Sequence, residues 1–110
     1  MKEIIALIRP SKVEDTKKAL EAIGLPGMTG RRVMGKGKKP VELSDDEGNL
    51  LMKSYMMPKR KIIIEVDDND VDKVVTIITL VNSTGAQGDG RIFVLPVLSS
   101  YEIRTGKKIG

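Results

Sequence analysis

The sequence has 110 residues, 40% of them hydrophobic, which suits one compact domain spanning 1–110 with a modest core. It contains no cysteine and no histidine, which excludes disulfides, thiolate metal sites, the commonest general base and phosphohistidine chemistry. A formal net charge of +4 suits an anionic partner, but only the placement of the charges can decide for one.

Lys2–Arg9 (KEIIALIR) is a nearly unbroken apolar run rich in β-branched residues. It reads as a central strand covered on at least one face, stopped by Pro10. Ser11 and Glu14 have the spacing of a capping box. A helix follows, with Val13, Thr16, Ala19, Leu20 and Ile23 on one face, and Gly24 and Pro26 ending it. Met28–Gly35 reads as a second strand and Lys61–Val66 as a third. About twenty residues between them carry neither a helical nor a strand period, a long connection for a compact domain.

Asp67, Asp68, Asn69 and Asp70 form a turn and cap cluster. A second helix follows, with Val71, Val74, Val75, Ile78 and either Val81 or Asn82 facing inward. Ser83–Gly90 is a glycine-dense loop that leads into a last strand, Arg91–Val97. Pro96 cannot donate to a ladder, so this strand belongs at an edge. Tyr101–Arg104 is a candidate extra strand, and the tail from Gly106 is expected to fray. The order βαββαβ, with right-handed crossovers, predicts an α+β ferredoxin-like sandwich: a four-stranded antiparallel sheet with both helices on one face. No membrane-length apolar run and no signal-peptide pattern is present, so a soluble cytoplasmic protein is expected.

Two glycine-and-cation clusters are the candidate chemistry. One is Gly35-Lys36-Gly37-Lys38-Lys39; the other runs from Thr84 to Arg91 (TGAQGDGR). Glycines let a backbone approach an anion, successive amides can cradle it, and lysine or arginine neutralises it. Either cluster alone is explained by a turn with solvated basic side chains; two in one small domain point to a phosphate ligand. Gly30 to Lys36 has the glycine and lysine spacing of a P-loop, but Gly37 stands where serine or threonine should hold magnesium, and Pro40 argues against the required helix. Lys59-Arg60-Lys61 is a third basic spot, read either as edge protection or as a hook for phosphate or carboxylate. Met52, Met56 and Met57 around Tyr55 suit an adaptable contact surface or a strand start equally well. Glu42, Asp45, Asp46 and Glu47 lack the rigid frame of a metal site. No catalytic residue and no metal ligand is assigned.

Taken together, MKEIIALIRPSKVEDTKKALEAIG, GMT, VMGKGK, PK, TGAQGDGRIFVLPV and IRTGKK resemble the PII signalling family over essentially the whole chain. The resemblance implies a non-enzymatic nitrogen-status sensor. It implies a homotrimer, or a trimer-based complex with a paralogue, holding ATP or ADP between subunits. It also implies a long loop after the second strand, the T-loop, that docks on a target. By position, Gly35, Gly37 and Lys38 would line phosphates on one side, and Gly88, Asp89, Gly90 and Arg91 on the other. Thr29 would approach adenine, Arg104 would reach phosphate from a neighbouring subunit, and Lys59 would pair with phosphate or 2-oxoglutarate.

Three positions depart from the family's pattern. Lys39 replaces the glutamine that helps hold magnesium, and an ammonium cannot ligate a cation, so magnesium-dependent 2-oxoglutarate binding by this chain alone is in question. Glu102 replaces an arginine directed at phosphate in many members. Tyr55 lies too close to Pro58 to match the tyrosine that many members uridylylate. SYMMPKR, VNSTG and VLPV look more like the nitrogenase-associated branch than the ammonium-transporter branch, so nitrogenase is the expected target, with an ammonium transporter or glutamine synthetase as the alternatives. An RNA-binding ferredoxin-like domain is the competing class, but KEIIALIR and KIIIEV offer no aromatic for a base, so no nucleic-acid partner is expected.

Overall fold

The computed structural model describes the backbone of residues 1–25, 29–44 and 50–110, and the side chains of 1–25 and 58–110. In chain order the elements are β1 (Lys2–Ile8), α1 (Val13–Ala22), β2 (Thr29–Ser44), β3 (Leu50–Val66), α2 (Val71–Asn82) and β4 (Arg91–Pro96). The sheet order is β2-β3-β1-β4, with every neighbouring pair antiparallel. This is the interleaved ferredoxin-like α+β arrangement that the sequence predicts.

The apolar run of β1 is central because it pairs with β3 on one side and β4 on the other. Its alternation then sorts the side chains. Ile4, Ala6 and Ile8 of β1 and Ile62, Ile64 and Val66 of β3 are buried with Leu20 of α1 and Val74 and Ile78 of α2. Burying each such aliphatic side chain stabilises by roughly 1.5–3 kcal/mol. The second-helix position left open between Val81 and Asn82 goes to Asn82, which is 5% exposed. Its Nδ2 donates to the Thr16 hydroxyl at 3.0 Å and to the Ile78 carbonyl at 2.9 Å, a polar tie between the two helices. Pro96 lies on the edge strand, as its missing N–H requires.

Gly24 adopts a left-handed φ of 83° and closes α1. Its N–H donates to Glu21 and that of Leu25 to Leu20, the paired bonds of a Schellman ending. The expected capping box does not form. Pro10–Lys12 makes a 3₁₀ turn, Lys12 occupies the cap position, and no side chain caps it. The proline starts the turn one step early and draws Ser11 into it. The acidic cluster before α2 also makes no side-chain cap; Asp68 pairs with Lys2 at 3.5 Å instead.

The largest departure is the segment expected to lack a strand period. β2 continues to Ser44 and β3 begins at Leu50, so the two strands form a long hairpin with register shifts between Lys36 and Val41 and between Leu43 and Ser44. β1 stops pairing with β3 at Arg60, so the outer hairpin is a two-stranded ribbon. Pro58 is tolerated there because its strand has β2 on one side and no β1 partner on the other. The acidic residues Asp45, Asp46 and Glu47, and Met28 of the expected second strand, lie outside the described residues. The tail expected to fray instead pairs back: Tyr101 bridges Lys108, and backbone bonds join Ser100 to Gly110 and Glu102 to Lys107. Among the described residues no helix is long and apolar enough to cross a membrane.

Candidate functional site: two cations and a glycine loop

The site is built where β1 ends beside the middle of β3. Ile8 pairs with Arg60, so one further step of the same register sets Arg9 opposite Lys59, on the face away from the helices. The loop between α2 and β4 folds over these two side chains. Arg9 donates to the Asp89 carboxylate at 2.5 Å, to the Thr84 hydroxyl at 3.3 Å and to the Gln87 carbonyl at 3.1 Å. Lys59 donates its ammonium to the Gly88 carbonyl.

Asp89 organises the loop from within. One carboxylate oxygen accepts from the Thr84 N–H at 2.8 Å and the Gly85 N–H at 3.0 Å; the other accepts from the Thr84 hydroxyl at 2.5 Å and from Arg9. These four bonds occupy the lone pairs a carboxylate has to offer. The Thr84 hydroxyl, its N–H and then Arg9 and Gly85 hold the Asp89 carboxyl well below the usual range, so it stays ionised far into acid. Burial lowers the pKa of Lys59, and the neighbouring Arg9 charge lowers it further; Asp89 offsets part of this. Lys59 is only 6% exposed. An aliphatic stem with a single charged head explains how a lysine can be covered there.

Lys59 lies between the two glycine-and-cation clusters in the chain's layout. Across the β2–β3 ladder, Lys59 faces Val33, and Gly35 lies two positions further along β2, opposite Met57. Gly37 and Lys38 sit in the register shift between Lys36 and Val41, where a ladder gives up regular pairing and bends. Thr29 begins β2 opposite Ile63. From the other side, Lys59 holds Gly88, and Gly88, Asp89 and Gly90 lead directly into Arg91, the first residue of β4. The Arg91 guanidinium lies 6.0 Å from the centre of the Phe93 ring, at the outer reach of a cation–π contact. Arg104 is not brought to this cluster within one chain. It sits on the C-terminal hairpin, 3.2 Å from Glu102.

Gly90 has a structural role that the sequence does not reveal. Its φ is 116°, and a Cβ there would lie 1.8 Å from the Leu7 carbonyl oxygen. The close backbone approach is made to β1 of the same chain. Arg9 is the functional candidate that sequence reasoning missed. Its signal was a cation closing an apolar central strand just before a proline, a pattern also read as an ordinary solvated strand end. A cleft of about 380 Å³ lies on the helix side of the same loop, lined by Ile8, Ile78, Asn82, Gly90 and Ile92 among others.

The fold is a small α+β domain whose glycine loop is held by two cations, and comparison with known proteins gives its family. The profile described as "Nitrogen regulatory protein P-II" matches residues 1–107. The chain belongs to that family of regulatory signalling proteins and is not an enzyme. It is 44% identical to "Nitrogen fixation nifHD region GlnB-like protein 2" of Methanothermococcus thermolithotrophicus, over 97% of this chain and 94% of that protein. It is 42% identical to the protein of the same name from Methanothermobacter marburgensis, over 98% and 96%. It is 44% identical to "Nitrogen regulatory protein P-II 2" of Methanothermobacter thermautotrophicus, over 97% and 92%.

The glycine geometry yields a direct comparison. Gly85 also has a left-handed φ, 78°, but nothing lies within 4 Å of a Cβ there. Gly85→Ala is expected to cost about 1–2 kcal/mol from backbone conformation alone. Gly90→Ala should cost about 3–5 kcal/mol, because the Leu7 backbone must also move. Urea unfolding of the two variants measures the difference; equal losses would show that the approach to Leu7 imposes no constraint.

Proposed function

We propose that this chain is a nitrogen-status sensor that binds ATP or ADP between its two glycine-and-cation clusters and regulates nitrogenase through the β2–β3 hairpin. The observation that carries the reading is the junction at Lys59, which ties the glycine loop before β4 to the strand facing the Gly35 cluster. Gly35, Gly37 and Lys38 form one phosphate wall, and Gly88, Asp89, Gly90 and Arg91 form the other. Asp89 acts through its loop, since its carboxylate is already filled by four donors. Thr29 approaches the adenine. The cationic, glycine-rich lining suits a polyphosphate. Magnesium and 2-oxoglutarate are not assigned to this chain alone, because the ammonium of Lys39 cannot act as a metal ligand.

We further propose a trimer, either of this chain or of this chain with a paralogue. The sheet face opposite the helices is apolar and incompletely covered: Ile5, Leu7 and Ile63 are half-buried, and Phe93 and Leu95 are 42% and 40% exposed. Ile103, next to Arg104 on the C-terminal hairpin, is fully exposed. An apolar face with an adjoining exposed edge strand is stabilised by burial against further copies. A neighbouring copy would also supply Arg104, which its own chain leaves away from the phosphate walls. The naming of the relatives for a nifHD region favours nitrogenase over an ammonium transporter or glutamine synthetase as the target. A cytoplasmic location goes with such a target.

Calorimetric titration tests the nucleotide site. ATP and ADP are expected to bind, and Arg91→Ala should weaken ATP by roughly tenfold or more, the usual effect of losing a charged hydrogen-bond partner. A folded chain that gives no binding heat with either nucleotide would rule the site out. Sedimentation in the presence of ATP should give a trimeric mass at micromolar concentration; a monomer would count against both the assembly and an intersubunit site. Deleting residues 41–53 should leave nucleotide binding intact and abolish inhibition of nitrogenase in an acetylene-reduction assay. Persistent inhibition by the deletion variant would move the docking surface off the hairpin.

A further inference from the structure

Two cations, Arg9 just past the end of β1 and Lys59 within β3, hold successive carbonyls of one loop. Arg9 binds the Gln87 carbonyl and Lys59 the Gly88 carbonyl. In a trans peptide the carbonyl and the following N–H point in opposite directions, and the chain has no cis peptide among its described residues. Holding the Gln87 carbonyl therefore turns the Gly88 N–H away from the cations, and holding the Gly88 carbonyl does the same to the Asp89 N–H. Two consecutive N–H groups then point to one side, which is the arrangement of an anion-binding nest. Gly88 makes this possible: its φ of 93° is the left-handed value such a nest needs at one residue. Arg9 contributes twice, because it also grips Asp89, whose other bonds fix the amides of Thr84 and Gly85.

We propose that Arg9 is a positioning residue for anion binding by the 84–90 loop: from behind, it holds the Asp89 carboxylate and the Gln87 carbonyl, and so presents the Gly88 and Asp89 N–H groups as paired donors to phosphate. The identity of the anion rests on the nucleotide reading above. Arg9 directs three hydrogen bonds to the loop, and its role in the proposal is to hold that loop. Its effect is preorganisation: a loop already held in shape loses less freedom when phosphate arrives.

The test compares wild type, Arg9→Met, Arg9→Lys, Asp89→Asn and the Arg9→Met/Asp89→Asn double variant, all as full chains. Amide hydrogen exchange is first measured without nucleotide at Thr84 and Gly85. Arg9→Met is expected to speed exchange there about tenfold, the loss of one charge-assisted bond, with the amides of the β1–β3 ladder unchanged. ATP affinity by calorimetry should fall by a similar factor. Arg9→Lys, which keeps the charge but reaches fewer acceptors, should recover part of both. The double variant should be no worse than the worse single one, because both changes remove the same bond. Unaltered loop exchange, or full ATP affinity in Arg9→Met beside a wild type that binds, overturns the role of Arg9 alone. Additive losses in the double variant overturn it as well, since Arg9 would then act independently of Asp89. A wild type that binds no ATP overturns the nucleotide reading itself, and the phosphate role of Arg9 with it.

Discussion

The Asp89 carboxylate is the constraint on which the site depends. It gathers two backbone amides, one hydroxyl and one guanidinium into a single knot, and this knot ties a glycine-dense loop to the central strand of the sheet. Without it the loop would have little to order it: Gly85, Gly88 and Gly90 all lose more conformational freedom on folding than other residues do. The hydrogen bonds also explain why the carboxylate remains charged, since each one favours the ionised form over the neutral acid. A permanent charge at this position keeps Arg9 in place, and Arg9 in turn reaches the carbonyl of Gln87.

The charge balance around this knot is uneven. Arg9, just past the end of β1, and Lys59, within the adjacent β3, stand next to each other, with one carboxylate between them. The excess positive charge is partly desolvated, and the lysine shows the cost as a lowered pKa. A buried cation that is incompletely compensated favours the arrival of an anion, which would offset both the desolvation and the repulsion between the two cations. Lys59 also belongs to β3, the strand that continues outward into the hairpin. A change at the loop is therefore mechanically next to the base of the hairpin. The register shift after Lys36 lies in the two-stranded ribbon, just beyond the last β1–β3 pair, and it is at such a shift that a ladder bends most easily.

Much of the fold was legible because short-range physics dictates it. The β-branched alternation of KIIIEV, the apolar stripe of each helix, Gly24 at a helix end and Pro96 at an edge each have one cheap solution, and the structure adopts it. The readings that failed depended on partners remote in sequence. The stretch around Pro40 and Ser44 has little strand propensity of its own, and only pairing with Leu50 and the residues after it makes it a strand. Ser11 has the spacing of a cap, but Pro10 starts a turn that takes it out of position. The tail after Gly106 is ordered by backbone bonds to Ser100 and Glu102, which no local pattern announces.

The sequence by itself determined the element order, the antiparallel interleaving of two βαβ halves, the family and the two glycine-and-cation clusters, because periodicity and glycine placement act over a few residues. Tertiary structure alone decided that Arg9 and Lys59 meet, that both hold carbonyls of one loop, and that Gly90 is required by a carbonyl of β1. These contacts join residues about fifty, eighty, thirty and eighty positions apart in the chain, separations at which only packing of the finished sheet, and not any local preference, sets which groups touch.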